Sequence, residues 1–133
     1  MDPVSIKSCN DSTELILSVT SSSSYETRFI AEIRGAQFNG AILSSTYFSG
    51  PPSLLFKEIS ENWDGWDGEK SWDAIDGELY LSATTNSLGS ITLKVRMVYL
   101  SGDFELVATI ALEAGQLDTI SRKVTKLYES TAC

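Results

Sequence analysis

Apolar and polar residues alternate with a period of two along most of this chain. In residues 13–20 (TELILSVT), Leu15, Leu17 and Val19 share one face, which is the periodicity of a half-buried strand. Residues 25–34 alternate again, with Tyr25, Phe29, Ala31 and Ile33 on one face and Glu26, Arg28, Glu32 and Arg34 on the other. The serine run Ser21–Ser24 between them reads as a hairpin connection. Residues 4–8 read as a short edge strand closed by the Asn10-Asp11-Ser12 turn. After Gly35-Ala36 a further strand is predicted near 37–47, with Asn39-Gly40 as a bulge or a turn inside it.

The second half repeats this habit. Residues 77–85 place Leu79, Leu81 and Ala83 inward, and residues 90–100 do the same with Ile91, Leu93, Val95, Met97 and Tyr99. Residues 103–113 carry a last inward row of Phe104, Leu106, Ala108, Ile110 and Leu112. The turns between these three strands are too short for crossovers, so an antiparallel meander is predicted.

Two stretches change period. Ser49-Gly50-Pro51-Pro52-Ser53 interrupts the strands, and a proline suits the first turn of a helix, with Ser49 or Gly50 as its cap. Over 51–62, Leu55 and Ile59 are four residues apart, and Trp63 falls on the same stripe. Leu117, Ile120, Val124 and Leu127 mark a second helix over 116–129, with Arg122, Lys123 and Lys126 favourably placed toward its C-terminal end. The order is three or four strands, a helix, three strands and a helix, a loose ββ(β)α repeat. The fold class read from it is α+β: a curved antiparallel β-sheet of about six or seven strands with two helices packed on one face, in one domain spanning 1–133.

Between the first helix and the strand at 77–85 lies Trp63-Asp64-Gly65-Trp66-Asp67-Gly68-Glu69-Lys70-Ser71-Trp72, which holds all three tryptophans. Asp64-Gly65, Asp67-Gly68 and Asp76-Gly77 are turn signals, because glycine tolerates positive φ and aspartate bonds its own downstream backbone. Trp63 and Trp72 are expected to be buried anchors, with Gly65, Gly68 and Gly77 shaping the loop. Trp66, between two Asp-Gly turns and without apolar neighbours, is expected to stay partly exposed. The indoles then serve either as a structural plug or as a contact surface.

Charge sharpens that choice. The chain carries −8, and residues 57–78 alone hold eight acids and two bases. Asp64, Asp67, Glu69, Asp73 and Asp76 therefore join Trp66 as candidate binding residues. An acidic pole disfavours nucleic acid, which demands cations against its phosphates, and suits a basic protein partner. No apolar run nears the roughly 18 residues of a membrane span, so no membrane partner is expected. Met1–Ser5 shows neither a basic n-region nor an apolar h-region, so a cytoplasmic location is expected. Oligomeric state stays open, an edge-strand dimer being one arrangement such a sheet allows.

The chain has no histidine. That excludes Ser–His and Cys–His nucleophile pairs and any histidine metal site. Cys9 and Cys133, near the two ends, match no metal spacing and read as free thiols. The acids miss the EF-hand order, since Trp66 and Gly68 take the third and fifth places after Asp64. No catalytic residue, metal or cofactor is expected.

The run Trp63-x-Gly65-Trp66-x-Gly68-x-x-x-Trp72, continuing as Ile75-x-Gly77-Glu78-Leu79-x-Leu81-x-Ala83, resembles an uncharacterised bacterial family of unknown function. The resemblance extends to the Gly89 turn, the strand at 90–98 and Gly115-x-Leu117. Many relatives have Gly-His where this chain has Gly89-Ser90, which removes a catalytic histidine there. It implies a fold and a loop that matter, and no substrate. The functional expectation is a non-catalytic binding protein of the immunity or antitoxin type, engaging a basic partner through the acidic tryptophan loop. The alternative is a carbohydrate-binding or carboxylate-dependent hydrolytic module using the same loop.

Overall fold

The computed structural model describes residues 2–129, so Cys133 lies outside the described residues. Strands β1 (Val4–Lys7), β2 (Glu14–Ser22), β3 (Thr27–Arg34) and β4 (Asn39–Ser45) are followed by helix α1 (Ser53–Glu61). Strands β5 (Lys70–Asp73), β6 (Leu79–Thr85), β7 (Ile91–Tyr99) and β8 (Phe104–Leu112) are followed by helix α2 (Ala114–Glu129). The chain is thus a four-strand, one-helix unit written twice. Each unit is an antiparallel meander, in the orders β1-β2-β3-β4 and β5-β6-β7-β8.

This corrects the expected single curved sheet. The longer strands do carry one apolar row each, but such rows fit one large sheet or two smaller ones equally well. Two four-stranded sheets form because the chain leaves the first through α1 and starts afresh at β5. The meander of the second half runs as the short turns require, with Leu81 opposite Val95 and Val95 opposite Ala108.

The helices join the two units. They pack on each other, and each also reaches the other unit's sheet: α1 lies against β5, and α2 lies against β1 and β2. Leu55, Phe56 and Ile59 from α1 and Leu117, Val124 and Leu127 from α2 are buried in one cluster with the inward rows of both sheets. Polar contacts tie the sheets at two further places. The Cys9 amide donates to the Ala111 carbonyl at 2.8 Å, which seats the residues after β1 on the edge of β8. The Ser44 hydroxyl on β4 donates to the carboxylate of Glu78, just before β6.

The inward rows do not stay covered along their whole length. Phe104 and Tyr99 stand opposite each other on the core side of β8 and β7, yet they are 63% and 57% exposed. They lie at the end of the second sheet, and their rings contact each other with centroids 6.3 Å apart. At the first helix, Pro52 is the cap and no side chain bonds there, so neither Ser49 nor Gly50 takes that role. Among the described residues, no helix is long and apolar enough to cross a membrane.

Tyr128 of α2 is buried, and that burial pushes its phenol above the ordinary range. The folded state therefore prefers the neutral phenol more strongly than the unfolded chain does. Unfolded tyrosine ionises near about pH 10, so this contribution to stability is complete below that pH and fades as pH rises above it. Alkaline ultraviolet titration with parallel circular dichroism should show one tyrosine ionising only as the fold is lost. Ionisation of every tyrosine with an intact far-ultraviolet spectrum would contradict this.

Candidate functional site

The acidic tryptophan segment starts where α1 ends. Asn62 closes the helix, its amide bonding to the Glu58 and Ile59 carbonyls and its side-chain amide to the Glu58 carbonyl at 2.8 Å. The Gly65 amide then donates to the Asn62 carbonyl at 2.9 Å. Gly65 takes φ 120° and Gly68 takes φ 75°, conformations closed to most side chains, so the Asp-Gly pairs here are turns as the sequence indicates.

The three indoles are used differently from expectation. Trp63 continues the Leu55–Ile59 stripe only if the helix continues, and α1 stops at Glu61. Trp63 is therefore swung out of the stripe and is 61% exposed, not a buried anchor. Trp66 is half-buried against the core, and its indole N–H donates to the Ala83 carbonyl at 3.3 Å. The Lys70 ammonium stands 5.9 Å from the centre of the Trp66 ring, within reach of a cation–π attraction. Trp72 is buried at 5% exposure, and its N–H donates to the Gly50 carbonyl at 3.0 Å.

Trp72 also shows that the segment is not wholly a loop. Lys70–Asp73 is strand β5, paired with β6 so that Trp72 faces Leu81 and Asp73 faces Tyr80. A four-residue strand with one apolar side chain leaves no alternation to read, which is why the sequence did not announce it. The chain returns from β5 to β6 through a turn in which the Gly77 amide donates to the Ala74 carbonyl at 2.9 Å.

The acids divide into engaged and open ones. Glu58 pairs with Lys70 at 2.9 Å. Glu69 accepts a hydrogen bond from the Tyr80 phenol, and that bond, with burial and the carboxylate's charge adding to it, raises the Tyr80 pKa. Glu78 is held by Ser44. Glu61, Asp64, Asp67, Asp73 and Asp76 are exposed, and none of them forms a salt bridge among the described residues. Among those residues, no three carboxylate or thiol side chains converge as a metal site would require. The candidate acids thus spread over the end of α1, the following loop, β5 and the β5–β6 turn as a surface. Cys9 is an exposed free thiol.

A family model described as "Family of unknown function (DUF6228)" matches residues 6–131. Among solved structures, the chain is similar to one titled "Crystal structures of trypanosoma bruciei MRP1/MRP2", at 13% identity and a TM-score of 0.51, over 96% of this chain and 84% of that one. At that identity the likeness concerns the fold alone. No curated protein matches the chain significantly.

Proposed function

The chain belongs to that family of unknown function, and from this premise we propose that it is a non-catalytic binding protein whose acidic surface engages a basic protein partner. The observation that carries the reading is Trp63, a large apolar side chain left 61% exposed among open carboxylates. An exposed indole offers a rigid contact of the kind that dominates binding energy, and the surrounding acids steer a cationic partner toward it. Glu61, Asp64 and Asp67 flank Trp63 along the chain and supply the charge beside it, and Asp73 and Asp76 extend the acidic surface along β5 and the turn after it. Trp66 takes a supporting part, since its N–H is already used inside the fold. The same charge opposes nucleic acid on this face. An immunity or antitoxin-type inhibitor would use such a surface to mask a basic protein.

A titration with an arginine- and lysine-rich peptide tests the reading. Binding is expected at low ionic strength, with a change in tryptophan fluorescence, and should weaken as salt rises. Trp63→Ala, and separately Asp64→Asn with Asp67→Asn, should each reduce affinity about tenfold, equivalent to about 1.4 kcal/mol. Binding that ignores both variants would refute the surface. A response to neutral oligosaccharides that depends on Trp63 would favour the carbohydrate-binding alternative. Glycoside turnover lost in Asp67→Asn or Asp73→Asn would favour the hydrolytic one.

A further inference from the structure

A groove of about 800 Å³ lies on another part of the molecule, between the edge strand β1 and helix α2. Its chemistry is opposite to that of the tryptophan surface. Arg28, Arg34, Lys70, Arg96 and Arg122 are held in salt bridges, while Lys7, Lys57, Lys94, Lys123 and Lys126 form none among the described residues. Three of those five, Lys7, Lys123 and Lys126, line this groove, and all three are exposed. Asp2 is the one acid among its described lining residues. The negative end of the α2 dipole accounts for Lys126 in the last turn. It does not account for Lys7, which comes from the other wall.

That other wall is a strand with a free edge. Among the described residues β1 pairs with β2 alone, and no strand lies on its opposite side. The direction of its backbone follows from two bonds. The Ser8 amide donates to the Thr13 carbonyl at 2.9 Å, so residue 8 points toward β2. The Lys7 carbonyl accepts from the Gln116 side chain at 3.0 Å, so residue 7 points toward α2. By the alternation of a strand, the Ser5 N–H and C=O also point into the groove. On the facing wall, Thr119, Lys123 and Lys126 fall at helical spacing along one side of α2. Gln116 closes one end by bonding to Lys7.

We propose that this groove receives an extended acidic segment of a partner protein, which pairs with the Ser5 backbone and sets its carboxylates against Lys7, Lys123 and Lys126. Strand addition supplies the backbone bonds, and the lysines choose the charge. An acidic strand brings charge complementary to Lys7, Lys123 and Lys126. This site shares no residue with the tryptophan surface, so either proposal can fail alone.

The experiment is a titration of the full chain with a synthetic ten-residue peptide of alternating Glu and Val, beside its Lys/Val counterpart, inorganic phosphate and a single-stranded DNA oligonucleotide. The Glu/Val peptide is expected to bind and the Lys/Val peptide not to. Lys123→Glu with Lys126→Glu should weaken binding at least about tenfold, by exchanging attraction for repulsion on an exposed helix face. Ser5→Pro, which removes the groove-facing N–H at an edge position that tolerates proline, should weaken it by a similar factor. Trp63→Ala should leave it unchanged. Absence of binding, indifference to the lysine pair, equal binding of the Lys/Val peptide, or displacement by phosphate or DNA at the peptide's own concentration would overturn the proposal. So would self-association of the chain abolished by the lysine variants, since a second copy would then be the occupant. If Ser5→Pro does not fold, protection of the Ser5 amide from hydrogen exchange on adding the peptide takes its place, and no protection counts against strand pairing.

Discussion

Trp72→Ala is expected to lower the free energy of unfolding by about 3–5 kcal/mol, the range for truncating a buried aromatic. Trp63→Ala should stay within about 0.5 kcal/mol, as exposed substitutions do. The two residues lie in one short segment, yet their surroundings differ in kind. Trp72 is 5% exposed, faces Leu81 across the β5–β6 pair, and spends its N–H on the Gly50 carbonyl. Its removal leaves a cavity and strands that carbonyl away from its donor. Trp63 stands past the end of α1 in solvent. Urea melts of both variants check this, with the midpoint moving far for Trp72→Ala and little for Trp63→Ala. Equal shifts would mean that Trp63 packs inside the fold and would remove the aromatic part of the proposed binding surface.

Phe29→Ala should cost about as much, again about 3–5 kcal/mol. Phe29 is fully buried on β3 and stands where three elements meet. Its ring meets Tyr128 of α2 edge-on, with centroids 5.4 Å apart and planes at 90°. It also meets Trp72 of β5 at 6.1 Å. One side chain thus holds the first sheet to the helix and to the edge strand of the second unit. Because Phe29 and Trp72 touch, the double variant should lose less than the sum of the singles, by about 0.5–1.5 kcal/mol. A double-mutant cycle measures that coupling. Strict additivity would show that the two rings contribute independently and that the junction is not a unit.

The tryptophan segment divides the readable from the unreadable. The Asp-Gly turns were legible because glycine's freedom at positive φ is a local property, and Gly65, Gly68 and Gly77 do take positive φ. The burial of Trp72 was legible from the inward row that follows it. Trp63 was misread because spacing along a helix has meaning only while the helix lasts, and α1 ends two residues too soon. Trp66 was half legible: it is partly exposed, but it is tied to Ala83 by a bond that no local pattern announces.

The groove between β1 and α2 left no trace in the sequence. Lys7 reads there as an edge residue, and Lys123 and Lys126 read as helix-end charges. Only folding brings the first strand beside the last helix. Sequence alone determined both helices and every strand but β5, that the second-half strands run antiparallel, where the acidic pole lies, and that histidine chemistry is absent. These follow from periodicity, turn length and composition, which act over a few residues. Tertiary structure alone decided that the strands divide into two sheets, that each helix reaches the other unit's sheet, and which tryptophan faces solvent. Those outcomes depend on which apolar surfaces cover one another, and burial is settled between elements far apart in the chain.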